Sequence, residues 1–267
     1  MNYIKLNHKA RTIGFTALCA MAITACGGSD NDDPPAPTPI PLGEDLGLSS
    51  SVLNETHRFD TPALAISVSA SASNTTGFTD LTIEAINTTL AQPLSPLFIA
   101  VHEASASLFT EGMPASTAIE QMAEGGSIDE LNDFANASPT VIAASGALSG
   151  ILPPLGTDST VITVADADLE GAVISAVGML VNTNDAFAGT NSYPLDGLAS
   201  GGSIRLPTLV WDAGTEANTE AAGTMPGPAD GGEGFNSVRD DLHDAVRIHP
   251  GVVTNAYSPR FATSDDS

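Results

Sequence analysis

Cysteine, basic residues and aromatics are all scarce in this chain, and each shortage excludes a class of chemistry. The 267 residues hold two cysteines, Cys19 and Cys26, both close to the N-terminus. If Cys19 leaves with a leader and Cys26 is modified, the remaining domain has no thiol. That rules out a disulfide framework, a thiolate zinc site and a cysteine nucleophile. Lysine and arginine together number eight against 32 aspartates and glutamates. Lys5, Lys9 and Arg11 lie in the leader, which leaves five arginines and no lysine beyond it. Such a balance argues against nucleic acid and against electrostatic docking on anionic lipid. It suits cation binding, and it equally suits general acidic solubility. Aromatics make up 5 % of the chain with a single tryptophan, too few for an extended sugar-binding platform.

Hydrophobic runs long enough to span a bilayer are also missing. The stretch Thr12–Ala25 is uncharged and mostly apolar, the size of a signal-peptide core. It ends in Ile23-Thr24-Ala25-Cys26, which resembles a bacterial lipobox, so residues 1–25 read as a lipoprotein signal peptide and Cys26 as the lipidated residue. The plainer alternative is an ordinary secretory signal with an incidental cysteine. Small, acidic and proline-rich sequence follows at once and favours the lipoprotein. Residues 26–62 carry Asp30-Asn31-Asp32-Asp33 and then Pro34, Pro35, Pro37, Pro39 and Pro41. Such a segment buries too little apolar surface to fold and acts as an extended tether. The expected location is a bacterial cell envelope, with the membrane reached through the lipid. Gly27 after the lipid cysteine, rather than an inner-membrane-retaining Asp, points to the outer membrane.

From residue 63 to about 256 the sequence alternates short β-like runs with turn chemistry. Ala63–Val68 and Leu81–Asn87 alternate apolar and polar residues, the pattern of half-buried strands. Leu97–Val101, Val161–Val164, Ala172–Val181, Ile204–Val210 and Ala245–Ile248 extend the series. Between Ala115 and Ala135, Ala118, Ile119, Met122 and Ala123 recur at helical spacing, and Gly125-Gly126 closes that segment. Ser127 is placed to cap a second helix whose first turn holds Asp129 and Glu130. Strands outnumber helices and the helices are grouped, so the expectation is one all-β antiparallel sandwich with a short helical insertion. Residues 257–267 read as a polar tail.

Familiar catalytic signatures are absent: no Gly-x-Ser-x-Gly elbow, no Walker loop and no Gly-x-Gly-x-x-Gly. His102-Glu103 starts like a zincin helix, but Ala106 stands where the second histidine belongs. Asp166-Ala167-Asp168-Leu169-Glu170-Gly171 starts like an EF-hand loop, but its twelfth position is Val177, so the bidentate glutamate is missing. A turn between two strands is the better reading.

Two carboxylate loops remain. Asn182-Thr183-Asn184-Asp185 ends one apolar run, and Trp211-Asp212-Ala213-Gly214-Thr215-Glu216 ends another. Loops at one end of a sandwich bring oxygen ligands together around hard cations such as calcium. A solvated acidic turn would explain either loop alone, though less well why both follow strong apolar runs. Asp212 and Glu216 could instead form the acid/base pair of an envelope hydrolase. No nucleophile, oxyanion motif or aromatic subsite accompanies them.

Several motifs together resemble the spondin N-terminal domain, most closely its bacterial lipoprotein members. They are Gln92-Pro93-Leu94-Ser95-Pro96, Leu108-Phe109 followed by Gly112-Met113-Pro114-Ala115-Ser116, Met179 to Phe187, Trp211 to Glu216, and Ile248-His249-Pro250-Gly251. The resemblance covers about Asp80 to Val252. It implies a β-sandwich resembling calcium-dependent membrane-binding domains and a non-catalytic binding or adhesion role. It also implies a structural calcium at Asp185, Asp212 and Glu216. Glu216 replaces the aspartate commoner in animal members and moves that carboxylate outward by one methylene. The partner expected is an envelope or extracellular ligand of unassigned chemistry, whether protein, glycan or lipid.

Overall fold

A computed structural model describes residues 62–251 except 146, 147, 149, 199 and 220. The leader, nearly all of the tether and the polar tail lie outside the described residues. The strands are β1 (Leu64–Ala72), β2 (Phe78–Asn87), β3 (Phe98–Glu103), β4 (Val141–Ser145), β5 (Thr157–Ala165), β6 (Ala172–Met179), β7 (Ala186–Pro194), β8 (Ser203–Leu206), β9 (Leu209–Asp212) and β10 (Arg247–Ile248). The helices α1 (Thr117–Gly125) and α2 (Asp129–Ala137) lie between β3 and β4. A four-stranded sheet runs β5-β2-β1-β8, a six-stranded sheet runs β10-β9-β7-β6-β3-β4, and every pairing is antiparallel. The fold is an all-β sandwich with a short helical insertion.

Alternation builds the first core. In β1, Leu64, Ile66, Val68 and Ala70 point inward, opposite Leu81, Ile83 and Ala85 of β2 in the same buried layer. They meet Ile99 and Val101 of β3 and Ile174 and Ala176 of β6 across the gap between sheets. β6 is buried at every position, because the helices cover its other face. Phe98, Val177, Met179 and Phe187 pack there against Ile119, Met122 and Ala123 of α1 and Leu131 of α2. A strand covered on both faces has no solvent side to alternate with, and this is why Ala172–Val181 reads as an apolar run interrupted only by Ser175 and Gly178.

Three local expectations need correction. Ile204–Val210 is not one strand: β8 joins the four-stranded sheet and β9 the six-stranded one, with the break at Pro207, which has no N–H to give a ladder. Ala245–Ile248 shortens to the two residues of β10. Ser127 does not cap α2. The N-cap is Ile128, without a side-chain cap, and the Ser127 hydroxyl instead meets Asp129, accepting from its N–H at 3.3 Å. β4 had no counterpart among the sequence runs. The Asp166–Asp168 segment is a 3-10 turn between β5 and β6, as its failed EF-hand pattern suggested.

The two caps of α1 fix where its last side chains point. Ser116 accepts from Ile119 N at its start. At its end Gly126 adopts φ 70°, the left-handed conformation a C-terminal cap requires. The Gly126 and Ser127 N–H groups then reach back to Met122 and Gln121 carbonyls at 3.0 and 3.3 Å. The helix therefore stops one residue beyond Glu124, with that side chain turned into the protein and wholly buried.

Candidate cation site

The turn from β6 to β7 and the segment after β9 meet at one end of the six-stranded sheet. In the first, the Asn182 side-chain carbonyl oxygen accepts from Ala229 N at 3.0 Å and the Asn184 amide donates to Thr224. Those side chains pin a distant loop, leaving Asp185 as the one carboxylate of that turn. In the second, Asp212 Oδ1 accepts from Gly214 N at 2.8 Å, closing a tight side-chain turn. Gly214 has φ 73°, and a Cβ there would lie 2.4 Å from the Ala245 carbonyl oxygen. The turn thus needs glycine both for its conformation and for the backbone beside it.

The turn folds Thr215 and Glu216 back over Asp185. Asp185 Oδ2 accepts from Thr215 N at 2.8 Å, from the Thr215 hydroxyl at 3.3 Å and from Glu216 N at 3.1 Å. Its other oxygen, Oδ1, is buried without a protein partner. Burial, and then the Asp212 charge, push the Asp185 carboxyl up from its ordinary 3.8 to about 7, against the pull of those donors. Glu216, partly buried, is pushed up to about 8, first by burial and then by Glu124, Asp185, Asp240 and Glu233.

Asp212 is fully buried but well satisfied. Its Oδ2 accepts from the Asn218 amide and from Arg247 Nη2 at 2.9 Å, and Arg247 also grips Asp241 at 2.7 and 3.2 Å. A cation at Asp212 would therefore share it with a guanidinium. The structure brings Asp185, Asp212 and Glu216 into one acidic neighbourhood. Sequence reasoning missed Glu124 and Arg247. For Glu124 the signal was its place four residues after Glu120, beside the apolar stripe Ile119, Met122 and Ala123. Arg247 had only its rarity among five arginines.

Every donor here is an oxygen, and a buried carboxylate oxygen stands unpartnered, which fits a hard cation. Among the described residues, no group of three or more His, Cys, Asp or Glu side chains is placed to hold a metal ion. A cation would take part of its shell from carbonyl, hydroxyl or water oxygens, as calcium commonly does.

The hydrolase alternative finds little here. Asp212 is sealed from solvent and tied to Arg247, so it faces no substrate. A cavity of about 510 Å³ lies beside Phe109, Leu209 and Trp211, but neither Asp212 nor Glu216 lines it. One pair does resemble a nucleophile and base: Ser175 Oγ lies 2.7 Å from His102 Nε2. Both are buried, His102 Nδ1 bonds the Glu103 carbonyl, and Ser175 Oγ accepts from Ser192 N at 2.8 Å. Burial holds His102 below its usual range, and the network ties β3, β6 and β7 together.

No curated protein matches this chain. The Spondin_N family model matches residues 87–226, more than half of the chain, from the end of β2 to beyond the Asp212–Glu216 turn. That match suggests a non-catalytic binding or adhesion module. With the two carboxylate loops inside the matched region, the chain belongs to the Spondin_N family.

Proposed function

We propose that this protein is a calcium-stabilised, non-catalytic binding or adhesion module, lipid-anchored through Cys26 at a bacterial cell envelope. Residues 26–62 serve as its tether, and Asp185, Asp212 and Glu216 hold the cation. The observation that carries the cation reading is the Asp185 carboxylate, wholly buried, with one oxygen free of protein donors and further carboxylates around it. A calcium ion would offset the mutual repulsion and fasten the β6–β7 turn to the segment after β9. The ligand bound by the module is an envelope or extracellular protein, glycan or lipid.

The test is thermal unfolding of the full chain carrying Cys26→Ser, with calcium and with chelator. Calcium at about a hundred times its dissociation constant adds roughly 2.7 kcal/mol. For a domain of this size that raises the melting temperature by roughly 5–10 °C, and chelator should reverse it. An unchanged melting temperature would remove calcium from the account. Anchoring has its own measurement: the wild-type chain should incorporate labelled palmitate in a bacterial host, and Cys26→Ser should not. Equal labelling of the two would refute the anchor.

A further inference from the structure

We propose that Glu124, at the C-terminal end of α1, supplies a further carboxylate oxygen to this cation, so that the ion ties the helical layer to the sheet-edge loops. Glu124 belongs to an element that the proposed Asp185–Asp212–Glu216 site does not use, and its role rests on that site being a cation site.

Two side-chain atoms among the described residues are buried without any hydrogen-bond partner, and they are Glu124 Oε1 and Asp185 Oδ1. Thr215 lies between them: its hydroxyl donates to Asp185 Oδ2 at 3.3 Å and also lies beside the Glu124 carboxyl. It leaves Oε1 without a well-formed bond. Glu216, the next residue, feels Glu124 more strongly than any other charge. The other Glu124 oxygen is taken, accepting from Asn236 N at 2.9 Å, so the side chain is fixed with Oε1 left over.

Burial first, and the Glu120 charge with it, disfavour a charge on Glu124, against the pull of the Asn236 N–H, the Thr215 hydroxyl and Arg239. Glu124 is fully buried. It stands in the last turn of α1, where the helix dipole is negative and no basic residue answers it. Glu120 adds a like charge one turn earlier. The nearby arginines are engaged elsewhere, Arg239 with Glu120 and Asp244, Arg247 with Asp212 and Asp241. A divalent cation reached by Glu124 and Asp185 satisfies both orphan oxygens at once, with the rest of its shell from carbonyl, hydroxyl or water oxygens. The all-oxygen set suits calcium, which accepts six to eight oxygens in flexible geometry.

Terbium luminescence sensitised by Trp211, the chain's only tryptophan and the neighbour of Asp212, reports occupancy, with calcium as competitor. The full chain carrying Cys26→Ser is compared with the same chain bearing Glu124→Gln, Glu124→Asp, Asp185→Asn or, as an exposed control on α2, Glu130→Gln. Glu124→Gln should weaken calcium binding by about tenfold or more without lowering the metal-free melting temperature. Glu124→Asp, one methylene shorter, should fall between it and the parent, and Glu130→Gln should bind as the parent does. If Glu124→Gln fails to fold, Glu124→Asp decides: an unchanged affinity overturns the proposal. Parental affinity in Glu124→Gln alongside lost binding in Asp185→Asn would refute the role of Glu124 and leave the cation site standing. No calcium binding by the parent chain would overturn both.

Discussion

Replacing Asp185 by asparagine is expected to raise the melting temperature of the metal-free protein at pH 8 and to abolish its response to calcium. The Asp185 carboxyl stands at about 7 instead of 3.8, so ionising it in the folded protein costs on the order of 4 kcal/mol. Asparagine keeps an oxygen to accept from Thr215 N and Glu216 N. Its amide brings a donor to the position where Oδ1 now has no partner. A rise of roughly 5–10 °C at pH 8 is the expected result.

The pH dependence has a definite sign. Asp185 and Glu216 both have folded values above their ordinary ones. Their contribution to metal-free stability is fully present below about pH 4 and is lost as pH rises through about 7 and 8. Asp241, lowered chiefly by its hydrogen bond from Arg247, acts oppositely and only at the acid end. The metal-free wild type should therefore melt lower at pH 8 than at pH 5. Asp185→Asn should flatten that slope, and calcium should flatten it in the wild type. A variant that melts below the wild type by equal amounts at both pH values would show that Asp185 ionisation is not what limits the metal-free fold.

Removing Arg247 should act in the opposite direction. Its guanidinium reaches Asp212 at 2.9 Å and Asp241 at 2.7 Å, and both carboxylates are almost wholly buried. Arg247→Ala leaves Asp212 uncompensated beside Asp185, a loss of about 3 kcal/mol and a fall of roughly 6–12 °C. The double variant Arg247→Ala/Asp212→Asn should recover part of that loss, since it removes the stranded charge along with its partner. Strict additivity of the two single changes would refute the ion pair as the cause. The pair also carries β10, whose two residues face Asp212 and Trp211.

Much of this was legible in the sequence, for identifiable reasons. β1 and β2 are half-buried, so alternation disclosed them, and the apolar run Ala172–Val181 disclosed a strand, though not that both its faces are covered. Asp185 and Asp212 could be found because each ends such a run. Glu124 left only the trace of its spacing from Glu120 beside an apolar stripe, and Arg247 none, because their partners are remote: Glu124 meets Asn236 and Arg247 meets Asp212, and no local pattern encodes either pairing. The split of Ile204–Val210 was signalled by Pro207, but hydropathy alone runs straight through it. β4 was hidden for a different reason. It is an edge strand, only half-buried along its length, so its run carries no strong periodicity.

The candidate site, with Glu124 in the role proposed for it, draws on a helix end at Glu124, a turn at Asp185, a strand end at Asp212 and a C-terminal strand at Arg247. These groups lie far apart in the sequence, so they meet only through long-range contacts. Contacts that form late are absent from the folding transition state, so strengthening them slows unfolding far more than it speeds folding. A cation here would act as a latch. It would set how long the domain survives, not how fast it forms.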